Sequence, residues 1–399
     1  MDKKRVLSKA LHSVGSVPGV QKTTLGAATK LACRRIGKRY MSQAEIEQVE
    51  SGAIDKKTAV KAFFRKHPKR FRSDREMVKK LLNEAPAYKD RTKEEKSRIA
   101  YEMLFFDIAY GFLPEEYVCF ELEGRTAEDI RSFVSNKERC FAVYQMNSIY
   151  DMDLFNDKGK TFQMFGSYFK RDAVYISKRD SRTAFLDFIG KHPVFVRKNV
   201  YESLGRSVEL VDSRTCGKTA DELFAEYLKE GPVILEERVV QSDIMAALNA
   251  SSVNTIRCIT IRTKNGVEEP FFFMKIGRAG SFVDNGGAGG ILVGIDGETG
   301  ILCTDGYDET NNRYQTHPDS GITIKGYQLP DWNSLKELCR EIASKVERIR
   351  YIGWDLAHTN NGWVIIEGNC RSQMIGPQTV FKRGIRTEIE SLMKQMSLF

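Results

Sequence analysis

The amino-acid sequence predicts an α+β protein in which a mainly helical region precedes two regions of mixed strands and helices. The chain of 399 residues is 41% hydrophobic and 29% charged, proportions that are typical of a folded, water-soluble protein. Residues 41–145 carry apolar side chains at helical spacing, and from about residue 150 short β-rich runs alternate with helical segments. A chain of this length can form two or three domains.

Capping and turn signals place the individual elements. Thr92 and Glu95 form a capping box that begins one helix of the first region. Further on, the sequence predicts strands at 194–197 and 233–235 and helices at 219–230, 243–249 and 334–349, the last with a Ser334/Glu337 capping box. It also predicts two hairpins, 255–263 with 267–276 and 351–359 with 363–369.

The positive charge of the chain is concentrated at its start. Lys and Arg exceed Asp and Glu by nine, and residues 1–40 alone hold ten basic residues and one acidic residue. Two basic amphipathic helices are predicted there, which indicates attachment to an anionic membrane surface or an anionic polymer. A solvated helix face packed on the rest of the protein explains the same pattern, and an organellar transit peptide also fits it. Because residues 41–399 are neutral overall, nucleic acid is not an expected partner.

Several classes of protein are excluded by signals that the sequence lacks. No apolar run has the length of a membrane-spanning helix, and no secretory signal is recognised. The eight cysteines are scattered without a close pair, which is typical of reduced thiols in a cytoplasmic protein. Signatures of P-loop proteins, protein kinases and serine hydrolases are absent. We therefore expect a cytoplasmic protein whose chemistry uses carboxylates, lysines and arginine.

The last predicted hairpin carries three candidate metal ligands. If its loop has three residues, with Gly362 in the left-handed conformation, Asp355 lies opposite Glu367. Asn369 then shares their face, because strand residues two apart point the same way. Such oxygen ligands suit Mg²⁺ bound to nucleotide phosphates. An ordinary polar face of an antiparallel hairpin explains the same residues.

Candidate anion-binding residues occur at three places. Lys198 ends an apolar strand and precedes a turn of small residues, a pattern that can hold a phosphate, and Lys158 is a weaker candidate of the same kind. Arg257 shares a strand face with apolar neighbours and therefore needs an anion, which a structural carboxylate or a ligand can supply. The glycines of 286–290 can let the backbone approach an anionic ligand, or form only a connector.

Five motifs, taken in order over about residues 100–390, resemble the sugar-transfer-associated family of the ATP-grasp ligase superfamily, which is related to α-L-glutamate ligases. They are Ser252-Val253-Asn254-Thr255-Ile256-Arg257, Val283-Asp284-Asn285 with Gly289-Gly290, His317-Pro318-Asp319-Ser320-Gly321, Ile352-Gly353-Trp354-Asp355 and Ile366-Glu367-Gly368-Asn369. The resemblance implies an ATP-grasp fold, in which two α+β lobes clasp ATP. Together with the charge distribution and the helical spacing described above, it divides the chain into a basic leader (1–40), a helical region (41–145), a small lobe with a phosphate lid (146–235) and a large lobe with the metal site (236–399).

The resemblance also implies roles for particular residues. ATP binding falls to two phosphate lysines, a hinge whose backbone reads adenine and an acidic residue at the ribose: Lys158, Lys198, Glu236, Glu237, Val239 and Asp243. The metal ligands would be Asp355, Glu367 and Asn369, and the catalytic cations Arg257, Lys275 and Arg278. The lid departs from the family pattern, because 199–205 contains a single glycine where several are usual.

The implied activity is ATP- and Mg²⁺-dependent formation of an amide from a carboxylate and an amine through an acyl phosphate. The family context suggests polysaccharide biosynthesis, with a glycan or peptide carboxylate and a small amine as substrates, and the leader would suit work at the inner face of the membrane. Two alternatives remain: a kinase of the same fold, and a nucleotide-binding pseudoenzyme.

Overall fold

The computed structural model describes residues 40–67, 72–201, 208–281, 284 and 289–396. The predicted helices of the leader, the lid turn at 202–207, and Val283, Asn285, Gly286 and Gly287 of the glycine-containing motif segment lie outside these residues. Among the residues described, none of the helices is both long and apolar enough to cross a membrane.

The first part of the described chain is helical, as predicted. Its helices are α1 (Gln43–Glu50), α2 (Lys56–Lys66), α3 (Arg72–Glu84), α4 (Lys93–Tyr110), α5 (Pro114–Cys119), α6 (Ala127–Ser132) and α7 (Asn136–Met146). The predicted capping box at Thr92 and Glu95 is present at the start of α4. Aliphatic and aromatic side chains form the core of this part, and the rings make contacts such as Phe106–Tyr117 and Phe120–Phe133.

A four-stranded antiparallel sheet, here called the small sheet, follows two helices, α8 (Asp153–Asn156) and α9 (Lys158–Phe169). Its strands are β1 (Ala173–Ile176), β2 (Val194–Asn199), β3 (Val208–Asp212) and β4 (Val233–Glu237), in the spatial order β1-β4-β2-β3. Helices α10 (Arg182–Lys191) and α11 (Ala220–Glu230) pack with one face of this sheet through Phe185, Phe195 and Leu235. Lys198 and Glu236 therefore lie on the opposite face.

A seven-stranded antiparallel sheet, here called the large sheet, contains both predicted hairpins. Its spatial order is β11-β10-β5-β6-β7-β8-β9. The strands are β5 (Thr255–Thr263), β6 (Gly266–Ile276), β7 (Ile291–Ile295), β8 (Leu302–Tyr307), β9 (Arg313–Tyr314), β10 (Tyr351–Thr359) and β11 (Gly362–Asn369). Helices α12 (Asp243–Ala246), α13 (Trp332–Ser344), α14 (Ile375–Phe381) and α15 (Arg386–Lys394) complete the described chain. The α+β prediction is thus confirmed.

The turn of the last hairpin differs from the prediction, yet the predicted pairing of its carboxylates is correct. Thr359 pairs with Gly362, so the loop has two residues and not three, although Gly362 is left-handed as expected, with φ +81°. A bulge at Ile366 then shifts the register by one residue and brings Glu367 opposite Asp355.

The prediction for helix 334–349 was wrong at both ends. The helix begins at Trp332, after Asp331 in the left-handed conformation with φ +43°, so Ser334 and Glu337 do not form a capping box. Contacts of the Trp332 side chain stabilise this earlier first turn: its ring packs on Phe272, and its Nε1 donates to the Gly297 carbonyl at 2.9 Å. The helix ends at Ser344, and the predicted helix 243–249 likewise ends early, at Ala246.

Buried polar side chains join the helical part to the large sheet. Asn147 accepts from the backbone N–H groups of Arg350 and Tyr351 and donates to the Tyr351 and Cys370 carbonyls. Gln378 makes a two-way hydrogen bond with the backbone of Val134. These contacts fix the segment after β11 against the helices.

Candidate active site

Three strands of the large sheet bring two cations onto one buried carboxylate. Arg257 donates to both oxygens of Asp355, from Nε at 2.6 Å and from Nη2 at 2.7 Å. Lys275 Nζ lies 3.1 Å from Asp355 Oδ2. Burial alone would raise the pKa of Asp355, but Arg257 and Lys275 outweigh it and lower that pKa to about 2. Asp355 is therefore ionised at neutral pH.

The sheet register explains why these side chains meet. Asp355 is paired with Arg257 on β5 at one side and with Glu367 on β11 at the other. Lys275 enters from β6, opposite Thr255. Gly353 provides the necessary space, because a Cβ there would lie 2.2 Å from Ser372 Oγ and 3.0 Å from Arg257 Cδ.

Glu367 and Asn369, the other two predicted metal ligands, lie beside Asp355. Both are half-buried, and neither side chain makes a hydrogen bond to any residue that the structure describes. Together with Arg257, Lys275 and Asp355 they form what we call the Asp355 cluster. Its carboxylate and amide oxygens are the ligands that Mg²⁺ prefers.

Two contacts of this cluster were not predicted. Ser372 Oγ accepts from Arg257 Nη1 at 2.9 Å, so this buried hydroxyl holds the guanidinium nitrogen that does not bind Asp355. Asp284 accepts from Thr255 Oγ1 at 2.5 Å and lies 3.8 Å from Lys275 Nζ. Asp284 stood in a recognised motif without a role, whereas nothing in the sequence around Ser372 indicated its contact.

A second group of charges lies on the small sheet and is here called the Glu236 cluster. Lys198 Nζ donates to Glu236 Oε2 at 2.9 Å, and Arg171 donates to the same oxygen from Nε at 2.8 Å and Nη2 at 2.5 Å. Although burial would raise the pKa of Glu236, Arg171 and Lys198 lower it to about 2. Arg171 was not singled out from the sequence.

Lys158 is the first residue of α9, and its backbone N–H faces the carbonyl of Val200 at 3.5 Å. Val200 directly follows β2, which carries Lys198. The two predicted phosphate lysines thus belong to segments that meet at one end of the small sheet.

The remaining predicted ATP-binding residues are more dispersed. Glu237 points to the helix-covered face of the small sheet, where a carboxylate oxygen of Glu237, another of Asp172 and a ring nitrogen of His192 lie within 4.8 Å of one another. Val239 is half-buried in the segment after β4, and Asp243 is exposed at the start of α12. The side chain of Glu237 therefore does not join the Glu236 cluster.

Arg278, the third predicted catalytic cation, is bound outside the Asp355 cluster. Asp319 accepts from its Nε at 2.8 Å and its Nη2 at 3.2 Å, and also from the backbone N–H of Ala279. His317 of the same motif contacts the Gly277 carbonyl through Nε2 at 2.9 Å. These contacts hold the end of β6 against the 317–321 turn.

The sequence of residues 143–394 matches the family described as sugar-transfer associated ATP-grasp. The chain belongs to this family. The match covers more than half of the chain and confirms both the predicted family and the predicted ATP-grasp fold. None of the curated proteins is detectably similar in sequence.

Solved structures of ATP-grasp ligases resemble the chain distantly. The ligase PsnB complexed with a minimal precursor is 11% identical, with 65% of this chain and 70% of that chain covered and a TM-score of 0.38. The D-alanine-D-alanine ligase of Coxiella burnetii is 10% identical, with 62% of this chain and 59% of that chain covered and a TM-score of 0.37. The D-alanine-D-alanine ligase of Helicobacter pylori is 14% identical, with 65% of this chain and 68% of that chain covered and a TM-score of 0.39. Likenesses of this order indicate no substrate for the present family member.

Proposed function

We propose that this ATP-grasp protein is an ATP-dependent ligase that joins a carboxylate to an amine through an acyl phosphate. The observation that carries the proposal is the Asp355 cluster, where Arg257 and Lys275 hold a buried carboxylate beside Glu367 and Asn369. Phosphoryl transfer needs cations at the transferred group and oxygen ligands for a metal ion, and the cluster offers both. Membership of the ATP-grasp family supports the same class of reaction.

The donor atoms of the cluster fit Mg²⁺. Glu367 and Asn369 have oxygens that no described residue binds, and Asp355 keeps lone pairs beyond those that accept from Arg257 and Lys275. Asp355, Glu367 and Asn369 would hold Mg²⁺, which would offset part of the negative charge of the ATP phosphates.

We propose that the small sheet holds the nucleotide. Lys158 and Lys198 would neutralise its phosphates, and the backbone of the segment from Glu236 to Val239 would read adenine. Asp243, exposed at the start of α12, would contact the ribose. Arg278 would need to exchange Asp319 for an anionic group of the substrate in order to act in catalysis.

In the proposed reaction a substrate carboxylate oxygen bonds to the γ-phosphorus while the bond to the β-phosphate oxygen breaks and ADP leaves. The amine nitrogen then bonds to the acyl carbon, the bond to the phosphate oxygen breaks, and a proton leaves the nitrogen. Arg257 and Lys275 would offset the negative charge of the transferred group in both steps. A covalent intermediate on the protein is not required.

The substrate class is a proposal of its own. The association of the family with sugar transfer supports a carboxylate on a glycan or glycan-linked peptide precursor, used in the cytoplasm for polysaccharide biosynthesis. The leader would keep the protein at the inner membrane face. Flotation of the full chain with anionic liposomes, together with loss of flotation after removal of residues 1–40, supports that location, and equal behaviour of the two proteins contradicts it.

The first test is thermal unfolding with and without Mg-ATP. A ligand that binds only the folded state raises the melting temperature. We expect a magnesium-dependent rise in the parent and in Glu347→Gln, an exposed control, and loss of the magnesium-dependent part in Glu367→Gln. No rise in the parent at millimolar nucleotide overturns the ligase proposal, whereas a small rise that does not depend on magnesium favours the nucleotide-binding pseudoenzyme.

The second test separates a ligase from a kinase. Uronic acids and peptides labelled with ¹⁸O in their carboxylates are screened with amines, and ADP and phosphate are followed. A ligase transfers ¹⁸O to inorganic phosphate and forms the amide only when amine is present. A stable phosphorylated product formed without amine favours the kinase.

A further inference from the structure

Arg171 lies in the connection between α9 and β1, and its side chain is 4% exposed. Besides its two bonds to Glu236, its Nη1 donates to the carbonyl of Ile365 at 2.6 Å and to that of Phe169 at 3.4 Å. Its guanidinium also lies over the Phe169 ring, 4.6 Å from the centroid. The side chain is therefore fixed on several sides.

These contacts connect the two sheets. Glu236 is on β4 of the small sheet, beside Lys198, whereas Ile365 is on β11 of the large sheet, two residues before Glu367. One side chain thus links the cluster that we assign to the nucleotide phosphates with the strand that carries a proposed metal ligand.

The charges of the Glu236 cluster do not cancel. Lys198 and Arg171 supply two positive charges to one buried carboxylate. Lys198 can therefore turn to a phosphate while Arg171 still pairs with Glu236. Without Arg171 the same movement would leave a buried carboxylate unpaired, which is strongly unfavourable.

We propose that Arg171 is a positioning residue, which holds Glu236 so that Lys198 is free to bind the phosphates. This inference rests on the proposed function. It assigns to Arg171 no contact with substrate, and its effect on nucleotide binding passes through Glu236 and Lys198.

A double-mutant cycle tests this coupling with Mg-ATP as the probe, measured by titration calorimetry. In Arg171→Gln, Lys198 remains the sole cation on Glu236, and we expect Mg-ATP to bind roughly tenfold more weakly. In Arg171→Gln with Glu236→Gln, Lys198 is released, and affinity should return to that of Glu236→Gln alone. Arg182→Gln, which removes an exposed arginine of the same part of the chain, should change nothing.

Additive losses, with the double variant weaker than either single variant, would mean that Arg171 acts on general stability, and the inference fails. Absence of Mg-ATP binding in the parent would overturn the proposed function and the inference together. Additive losses in a parent that binds Mg-ATP would overturn the inference alone, so the two failures are distinguishable. If Arg171→Gln does not fold, Arg171→Lys serves in its place. Lysine at this position retains a positive charge beside Glu236, so Mg-ATP should bind with the parental affinity. A loss of Mg-ATP affinity equal to that of an unrelated destabilised variant would contradict the inference.

Discussion

Arg257 and Asp355 form a two-pronged ion pair across adjacent strands, with Nε 2.6 Å from Oδ1 and Nη2 2.7 Å from Oδ2. Lys275 and Ser372 complete the surroundings of this pair. Because Asp355, Lys275 and Ser372 are buried and the side chain of Arg257 is only 14% exposed, the pair packs within the large sheet as well as in the proposed site. Its carboxylate therefore has a structural role that Glu367 lacks.

Asp355→Asn and Glu367→Gln should consequently differ in stability. The first change leaves the largely enclosed cations of Arg257 and Lys275 without their carboxylate, and we expect it to lower the free energy of unfolding by about 3–5 kcal/mol. The second removes a charge that no described residue binds and should cost less than about 1 kcal/mol. Urea unfolding without nucleotide measures both. Equal losses would mean that the two carboxylates share one structural role.

Much of the large sheet could be predicted because its signals are local. The turn signal Asn265-Gly266 indicates the first hairpin, although its turn residues are Lys264 and Asn265 and Gly266 already pairs with Thr263. Alternation along a strand places Glu367 and Asn369 on one face. The bulge at Ile366 could not be predicted, since it depends on packing between β10 and β11 and not on turn residues. The correct pairing of Asp355 with Glu367 was thus reached from a wrong loop length.

The parts of the site that escaped prediction involve residues distant in sequence. Arg171 and Glu236 are 65 residues apart, and Arg257 and Ser372 are 115 apart. A lone arginine or serine in a connection carries no periodic or motif signal, so only the fold shows these contacts. The predicted roles of Lys158, Lys198 and the Asp355 cluster remain predictions.

Stability should fall as pH rises, because two carboxyls of the helical part are buried. Burial raises the pKa of Asp107 and of Glu116 to about 8, and Asp107 Oδ2 has no hydrogen-bond partner among the described residues. Asp74, Glu115 and Lys137 also influence Asp107, and Arg139 influences Glu116. A carboxyl whose pKa is higher in the folded than in the unfolded protein contributes its full stabilisation of the fold below about pH 4. That contribution is lost as the pH rises towards 8.

Each group that titrates in this way changes stability by about 1.4 kcal/mol per pH unit. Between pH 5 and pH 8 the free energy of unfolding should therefore decline less steeply in Asp107→Asn than in the parent, by on the order of that amount per pH unit. Urea titrations at several pH values measure it. An unchanged slope in Asp107→Asn would show that this carboxyl is ionised in the folded protein.

Lys382 should stabilise the junction of the helical part with the large sheet. Its Nζ donates to the Cys119 carbonyl at 3.1 Å and to Asn311 at 2.5 Å, and lies 3.9 Å from the centroid of the Tyr307 ring. Lys382→Met keeps the length of the side chain but leaves these acceptors unpaired, which should cost about 1–3 kcal/mol. Thermal unfolding measures the loss. The neighbouring Arg383→Met, which removes a surface ion pair, serves as the control and should change little.

Arg257→Lys should separate catalysis from nucleotide binding. Lysine retains the positive charge but cannot donate to both oxygens of Asp355 and to Ser372 together. Because we assign this guanidinium to charge that develops during phosphoryl transfer, we expect turnover to fall about 100-fold or more while the Kd for Mg-ATP stays within about threefold. Ser372→Ala, which removes one hydrogen bond of the guanidinium, should have a turnover between that of Arg257→Lys and that of the parent. ADP release and ATP titration give the two quantities, and equal loss of affinity and turnover would place Arg257 in ground-state binding of ATP.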